Sequence, residues 1–250
     1  MMLWLERLAK RKNSSYGLFL QNKTSDSLMI SNWTGAIFDW DGVVVDSSHI
    51  HLKSWKMLAD ELALPLPCDH FERGFGKRNQ TIIPDILGWT KNIELIEKWG
   101  LRKEEIYREI ASIEGIPLAK GSKEFLQLLD PQKFLCGIGT STERKNVELA
   151  IKQHDLSNFF STCACSEDVK VGKPNPEVFL KAAEGLSVSP AQCVVFEDSP
   201  HGIEAAQNAN MKSVALTTSH PANVFMHLKP DLITASLAEV NPKQILELFH

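Results

Sequence analysis

Apolar positions along the chain follow two regimes. From about residue 121 onward, short apolar runs alternate with stretches of helical period, whereas residues 47–117 carry the helical period alone. Apolar runs at residues 36–38, 134–138, 160–165, 193–196, 213–216 and 231–233 predict strands. Between them the 3.6 period predicts helices over 123–129, 144–154 and 200–208. Asn175 and Pro176 open a further helix that stops at Gly185, and Asn241-Pro242 opens a terminal one. Alternation of this kind predicts an α/β fold, a Rossmann-like parallel sheet with helices on both faces, whose ligands gather at the carboxyl ends of the strands.

The all-helical stretch begins with Leu52, Trp55, Ala59 and Leu62 on one face and Lys53, Lys56, Asp60 and Glu61 on the other. Asp46 or Ser47 is placed to cap that helix, and Leu64-Pro65-Leu66-Pro67 ends it. Amphipathic segments follow at 81–87, 92–99 and 103–113, and none of them reads as a strand. A block of helices is thus inserted directly after the first strand.

Length and charge narrow the partners. With 250 residues and an apolar fraction of 43%, the chain can bury a large core. Its net charge of −4 gives no reason to expect nucleic acid or an anionic membrane, so cations that meet a substrate must be local. No apolar run is long enough to span a bilayer, and a monomer is expected. Five cysteines, an odd number, argue against a disulfide framework; Cys163 and Cys165 are spaced too tightly for zinc and read as buried reduced thiols in a reducing cytosol. Residues 1–33 form an N-terminal extension with Arg7, Lys10, Arg11, Lys12 and Lys23 against Glu6 and Asp26. That composition loosely resembles an organelle transit segment; a cytoplasmic protein with a poorly ordered extension, or with Met29 as the working initiator, is the alternative.

The candidate chemistry sits where strands stop. Asp39 and Asp41 leave the end of the first apolar run on one side, because side chains alternate with period two. Two carboxylates so close raise each other's pKa unless a proton or a hard cation lies between them. Gly42 then allows a sharp turn; alone, the pair also fits a hairpin. Thr140 and the pair Glu197-Asp198 end two other strands, so three distant segments deliver polar groups to one edge. Gly139-Thr140-Ser141 offers a hydroxyl and backbone N–H groups to an anion, though Ser141 or Thr142 is also placed to cap the next helix. Lys173 stands just ahead of a helix N-terminus, where the dipole disfavours a cation, and so serves another partner or stays in solvent. Asp198 and Ser199 before Pro200 also suit a helix cap; with Asp39 and Asp41 they complete an oxygen-rich set suited to Mg²⁺.

Asp39-Trp40-Asp41-Gly42-Val43, Thr140, Lys173 and Glu197-Asp198, in that order, resemble the four motifs of the haloacid dehalogenase-like hydrolases over roughly residues 34–240. The resemblance implies a catalytic core of residues 34–46 and 121–250 with a small helical cap domain at 47–120. It implies Asp39 as the nucleophile that takes a phosphoryl group and Asp41 as general acid and base. Thr140 and Lys173 would hold phosphoryl oxygens, and Mg²⁺ would be held by Asp39, the Asp41 carbonyl, Asp198 and nearby Glu197. Dehalogenases proper lack the second aspartate, so Asp41 counts against dehalogenation. The cap most resembles the β-phosphoglucomutase-like branch, which includes sugar phosphatases. His51 falls where that branch carries a hinge histidine and Ser47 where it carries a threonine, and Arg73 and Lys77 fall in its substrate loop, with the order of lysine and arginine exchanged and Arg78 alongside. With Ser141, these are the expected substrate contacts. The expected function is a Mg²⁺-dependent phosphatase of a small phosphorylated metabolite, a sugar or polyol phosphate, with a phosphosugar mutase and a non-catalytic phospho-ligand sensor as alternatives.

Overall fold

The computed structural model describes residues 34–129 and 134–249; the readings of the N-terminal extension lie outside the described residues. Six strands form one parallel sheet in the order β3-β2-β1-β4-β5-β6: β1 (Gly35–Phe38), β2 (Leu135–Gly139), β3 (Phe160–Ala164), β4 (Cys193–Glu197), β5 (Lys212–Leu216) and β6 (Leu232–Thr234). Period two divides the central strands between two cores. Ala36, Phe38, Val194 and Phe196 face one side, where Phe125, Leu126 and Val147 cover them, while Ile37 and Val195 face the other, beneath Val178, Phe179 and Ala205. On the first side, Phe38 stacks on Phe196 at 4.9 Å between ring centroids.

The helical insertion between β1 and β2 contains α1 (Ser48–Leu62), α2 (His70–Gly74), a turn at Asn79–Thr81 that runs into a π-helix (Ile82–Ile86), and α3 (Ile93–Glu114). The two amphipathic segments expected at 92–99 and 103–113 are one helix, since Gly100 does not break it. A Cβ there would come within 3.2 Å of Asn79 Cβ, so the glycine admits a neighbouring turn. Nor does Gly185 end its helix. The helix runs Glu177–Leu186 and closes at Ser187 with φ 58°, while a Cβ on Gly185 would meet Thr162 Oγ1 at 2.1 Å. Asn175 accepts from the Glu177 N–H at 3.0 Å, and that helix begins one residue later than the sequence predicts.

The remaining core helices are α4 (Ser122–Leu129), α5 (Arg144–His154), α6 (Glu177–Leu186), α7 (Pro200–Asn208) and α8 (Pro242–Glu247). Ser199 caps α7 by accepting from Gly202 N–H, and Asn241 with Gln244 makes a capping box on α8. Ser47 stands at the N-cap of α1 but makes no cap bond; its hydroxyl is used elsewhere. No helix among the described residues is long and apolar enough to cross a membrane.

Candidate active site

β1, β2 and β4 end side by side. The register pairs Phe38 with Ile138 and with Phe196, so Asp39, Thr140 and Glu197 emerge from neighbouring strands at one edge. Asp39 continues the sheet, its N–H donating to Phe196 O at 3.0 Å, and Thr140 N–H donates to Ala164 O. All three side chains are buried.

Lys173 reaches this edge from the loop before α6. Its Nζ lies 2.8 Å from Asp39 Oδ1 and 2.6 Å from Glu197 Oε1, with the side chain only 3% exposed. Here is the partner that offsets its unfavourable place near a helix N-terminus. Burial would lower its pKa, but the Asp39 and Glu197 charges outweigh burial and raise it.

One cation does not balance the cluster. Asp39, Glu197 and Asp198 bring ligand oxygens within 4.8 Å of one another, all buried. Burial first, then the Glu197 charge, pushes the Asp39 carboxyl up to about 7 despite Lys173, and burial with the Glu197 and Asp39 charges raises Asp198 well above its usual range. The backbone is shaped around the oxygens: a Cβ on Gly42, which has φ +78°, would lie 1.8 Å from Asp198 Oδ2. Ser219 and Thr218 hydroxyls face the same oxygen. Three crowded carboxylates with one ammonium fit a hard divalent cation.

The two aspartates of the first motif live in different environments. The Asp41 carboxylate lies outside that cluster and accepts hydrogen bonds from Ser47 Oγ and Thr142 Oγ1, with His51 Nε2 at 3.3 Å. Burial acts to raise its pKa, but the His51 ring and these hydrogen bonds outweigh burial and hold it at about 2. Only its main-chain carbonyl remains for the metal role the resemblance implies.

In the chelator-treated protein, stability is expected to fall as pH rises from about 4 to about 7. In that window the unfolded chain has released the Asp39 proton, whose ordinary pKa is 3.8, while the folded protein still holds it. Chelated samples melted across this window check it; a midpoint that climbs with pH would contradict the crowding, and a divalent cation should flatten the slope.

A cavity of about 80 Å³ opens above Asp39 and Asp41, lined from the core by Thr140, Ser141 and Thr142 and from the cap by His51, Lys77 and Arg78. Of the expected substrate contacts, it brings together His51, Lys77 and Ser141. Ser47 and Arg73 lie outside it. Ser47 is fully buried against Asp41, and Arg73 is solvent-exposed, 3.4 Å from Asp69, which stands four residues back at the N-cap of α2. Arg78 takes the inward place instead, its Nη1 donating to the carbonyls of Val169 and Lys170.

Periodicity on α3 concealed two further site residues. Lys103, 2% exposed, sits 2.6 Å from His51 Nδ1 and 2.9 Å from Glu104, with its ammonium over Trp55 and Tyr107. Glu104 accepts in turn from Asn79 and, across to the core, from Asn146 at 2.6 Å. Burial would raise Glu104, but Lys103 and then His51 hold it lowered. A Lys-Glu pair in a helical pattern reads as a solvated face; only an unusually long polar run could have hinted otherwise. Thr142 also caps nothing: Glu143 stands at the α5 N-cap, and the threonine hydroxyl serves Asp41.

A buried carboxylate nucleophile candidate, a second aspartate two residues on, a lysine and a distal acidic pair, at the edge of a parallel sheet under a helical cap, define a hydrolase class. Residues 36–216 match the model of the haloacid dehalogenase-like hydrolases, and the chain belongs to that family. It is 36% identical over 192 residues to the chloroplastic 5-amino-6-(5-phospho-D-ribitylamino)uracil phosphatase of Arabidopsis thaliana, covering 76% of this chain but about half (51%) of that relative. Hexitol phosphatase B of Escherichia coli is 29% identical over 224 residues, covering 84% of this chain and 96% of that one. Among solved structures, β-phosphoglucomutase from Clostridium difficile superposes with a TM-score of 0.76 at 25% identity, covering 87% of this chain and 97% of that one.

Proposed function

We propose that the protein is a Mg²⁺-dependent phosphatase that hydrolyses a small sugar or polyol phosphate through an aspartyl-phosphate on Asp39. The observation that carries the reading is the division of labour between two neighbouring aspartates. Asp39 is grouped with Lys173, Glu197 and Asp198, whereas Asp41 is held apart as a hydrogen-bond acceptor on the cavity side.

Phosphoryl transfer needs position and charge neutralisation above all. Asp39 attacks phosphorus in line, and the bond to the leaving oxygen breaks as the new bond forms. Lys173 orients the Asp39 carboxylate, and Thr140 with the adjacent backbone receives phosphoryl oxygens. Asp41, an anion at rest, takes the proton carried by the incoming phosphate monoester and delivers it to the leaving oxygen, then takes a proton from the water that opens the aspartyl-phosphate and returns it to solvent. Bound Mg²⁺, held by Asp39, Glu197, Asp198 and the Asp41 carbonyl, would supply the charge that lets a carboxylate approach a phosphate.

A mutase must grip a bisphosphate by its far phosphate while the sugar turns over. The cap's basic loop is poorly arranged for that, with Arg73 turned to Asp69 and Arg78 engaged by two backbone carbonyls. Lys77 alone of the three is left without such a partner among the described residues. Hydrolysis is therefore favoured over transfer, and the intact acidic set argues against an idle sensor.

The names of the Arabidopsis and E. coli relatives give a phosphorylated ribityl compound and a hexitol phosphate, both polyol phosphates. The chloroplastic relative supports an organellar address beside the cytoplasmic one. The test is a panel of phosphate monoesters, headed by polyol phosphates, assayed with Mg²⁺ and with EDTA. Phosphate release that stops in EDTA is expected, and full activity in EDTA would dispose of the metal. In parallel, β-glucose 1-phosphate with a trace of bisphosphate should give free phosphate; rapid formation of glucose 6-phosphate without phosphate release would favour the mutase.

A further inference from the structure

A second cavity lies beside the first and is far larger, about 600 Å³ against about 80 Å³. Gly42 lines it on the core side, so it begins where the Asp41 turn ends. Phe71 and Phe75 of the cap line both cavities, their ring centroids 5.1 Å apart and tilted at 48°. The remaining walls bring Glu72 from the cap, Lys120 from the segment that returns from the cap to the core, and His220 from the core. Lys120 and Glu72 are exposed and have no ion-pair partner among the described residues.

Volume separates the roles of the two spaces. A water occupies roughly 10–15 Å³ on this measure, so the first cavity takes a phosphoryl group and a few further atoms. The second has the size of a complete small-molecule site, roughly 300–1,000 Å³. Two aromatic side chains in the wall, with a cation, a carboxylate and an imidazole beside them, suit a flat ring with polar edges better than an acyclic polyol, which has no face to stack.

We infer that the second cavity is the subsite for the distal part of the leaving group, and that it selects phosphate esters carrying a planar nitrogen heterocycle beyond the polyol chain. The inference rests on the phosphatase reading and deepens it. Phosphate binds beside Asp39, the chain passes between Asp41 and the Phe71/Phe75 partition, and the ring lies under those two rings with its polar edge toward Lys120.

The probes are ribitol 5-phosphate and riboflavin 5′-phosphate, which share a phosphorylated chain and differ in the ring. The variants are Glu72→Trp, an exposed position from which an indole takes up part of the cavity, and Lys120→Ala. Wild type should favour riboflavin 5′-phosphate. Both variants should lower kcat/KM for that ester about tenfold, chiefly through KM, and change the ribitol ester less than about twofold. Equal effects on both esters, or none, would overturn the subsite. Unphosphorylated riboflavin supplies a readout independent of turnover: in equilibrium dialysis it should be retained by wild type and about tenfold more weakly by Lys120→Ala. Equal retention by both proteins also overturns the subsite. A wild type that retains riboflavin yet releases phosphate from neither ester upholds the subsite and overturns the phosphatase reading instead.

Discussion

Replacing Asp39 by Asn is expected to abolish phosphate release, by roughly four orders of magnitude or more, while leaving the fold intact. The amide keeps the carboxylate's shape and has no anionic oxygen with which to attack phosphorus. Structural collapse is not expected, because the β1 backbone bond from Asp39 N–H to Phe196 O does not involve the side chain. The same substitution should raise the melting temperature of the chelated protein at pH 8. There Asp39 is ionised although its folded-state pKa is pushed to about 7 from 3.8; that difference corresponds to about 4 kcal/mol of destabilisation at most, part of it offset when Lys173 loses its partner. At pH 4 the gain should vanish, since the folded protein then holds the proton. Phosphate release assays and melting curves at both pH values check the two halves separately. Substantial turnover by the Asn variant would remove Asp39 as nucleophile.

Gly42→Ala should damage the metal site without touching a ligand. The added Cβ would fall 1.8 Å from Asp198 Oδ2 and 2.7 Å from its Cγ, and φ of +78° strains any L side chain. The turn cannot relax freely, because Gly42 N–H donates to Val45 O at 2.7 Å and Gly42 O accepts from Thr218 at 2.7 Å. Asp198 must therefore swing away from Asp39 and Glu197. Apparent Mg²⁺ affinity, read as the rise in melting temperature on titration, should weaken roughly 10–100-fold, as when a ligand loses the support that orients it. An unchanged Mg²⁺ titration would show that Asp198 does not need its observed position.

The parallel sheet was legible in the sequence because each short apolar run, flanked by helical periods, has one economical way to bury both faces. Strand ends could be placed to within a residue because polar residues begin where the apolar runs stop, and that same boundary exposed Asp39, Thr140 and Glu197-Asp198. Those residues were legible as a set because a parallel sheet puts all its carboxyl ends on one edge. Lys173 was visible as an anomaly, a cation before a helix N-terminus, although its pairing with Asp39 and Glu197 depends on a loop whose path no local pattern encodes.

The cap was another matter. Its helices follow from periodicity, but which polar side chains turn inward depends on how three helices cross. Lys103 and Glu104 lie in a stretch of charge that a periodic reading assigns to solvent, and they are buried because α3 packs between His51 on one side and Asn146 on the other. Arg73 and Arg78 exchange places for a similar reason. Arg73 points back along α2 to Asp69, whereas Arg78 follows the chain past that helix and meets the carbonyls of residues 169 and 170. Sequence by itself determined the strands, their order of chemistry and the acidic cluster, since those depend on local alternation and strand ends. Only the tertiary structure decided which cap cations face the cavity and how large the space beside it is, because both depend on contacts between segments tens of residues apart.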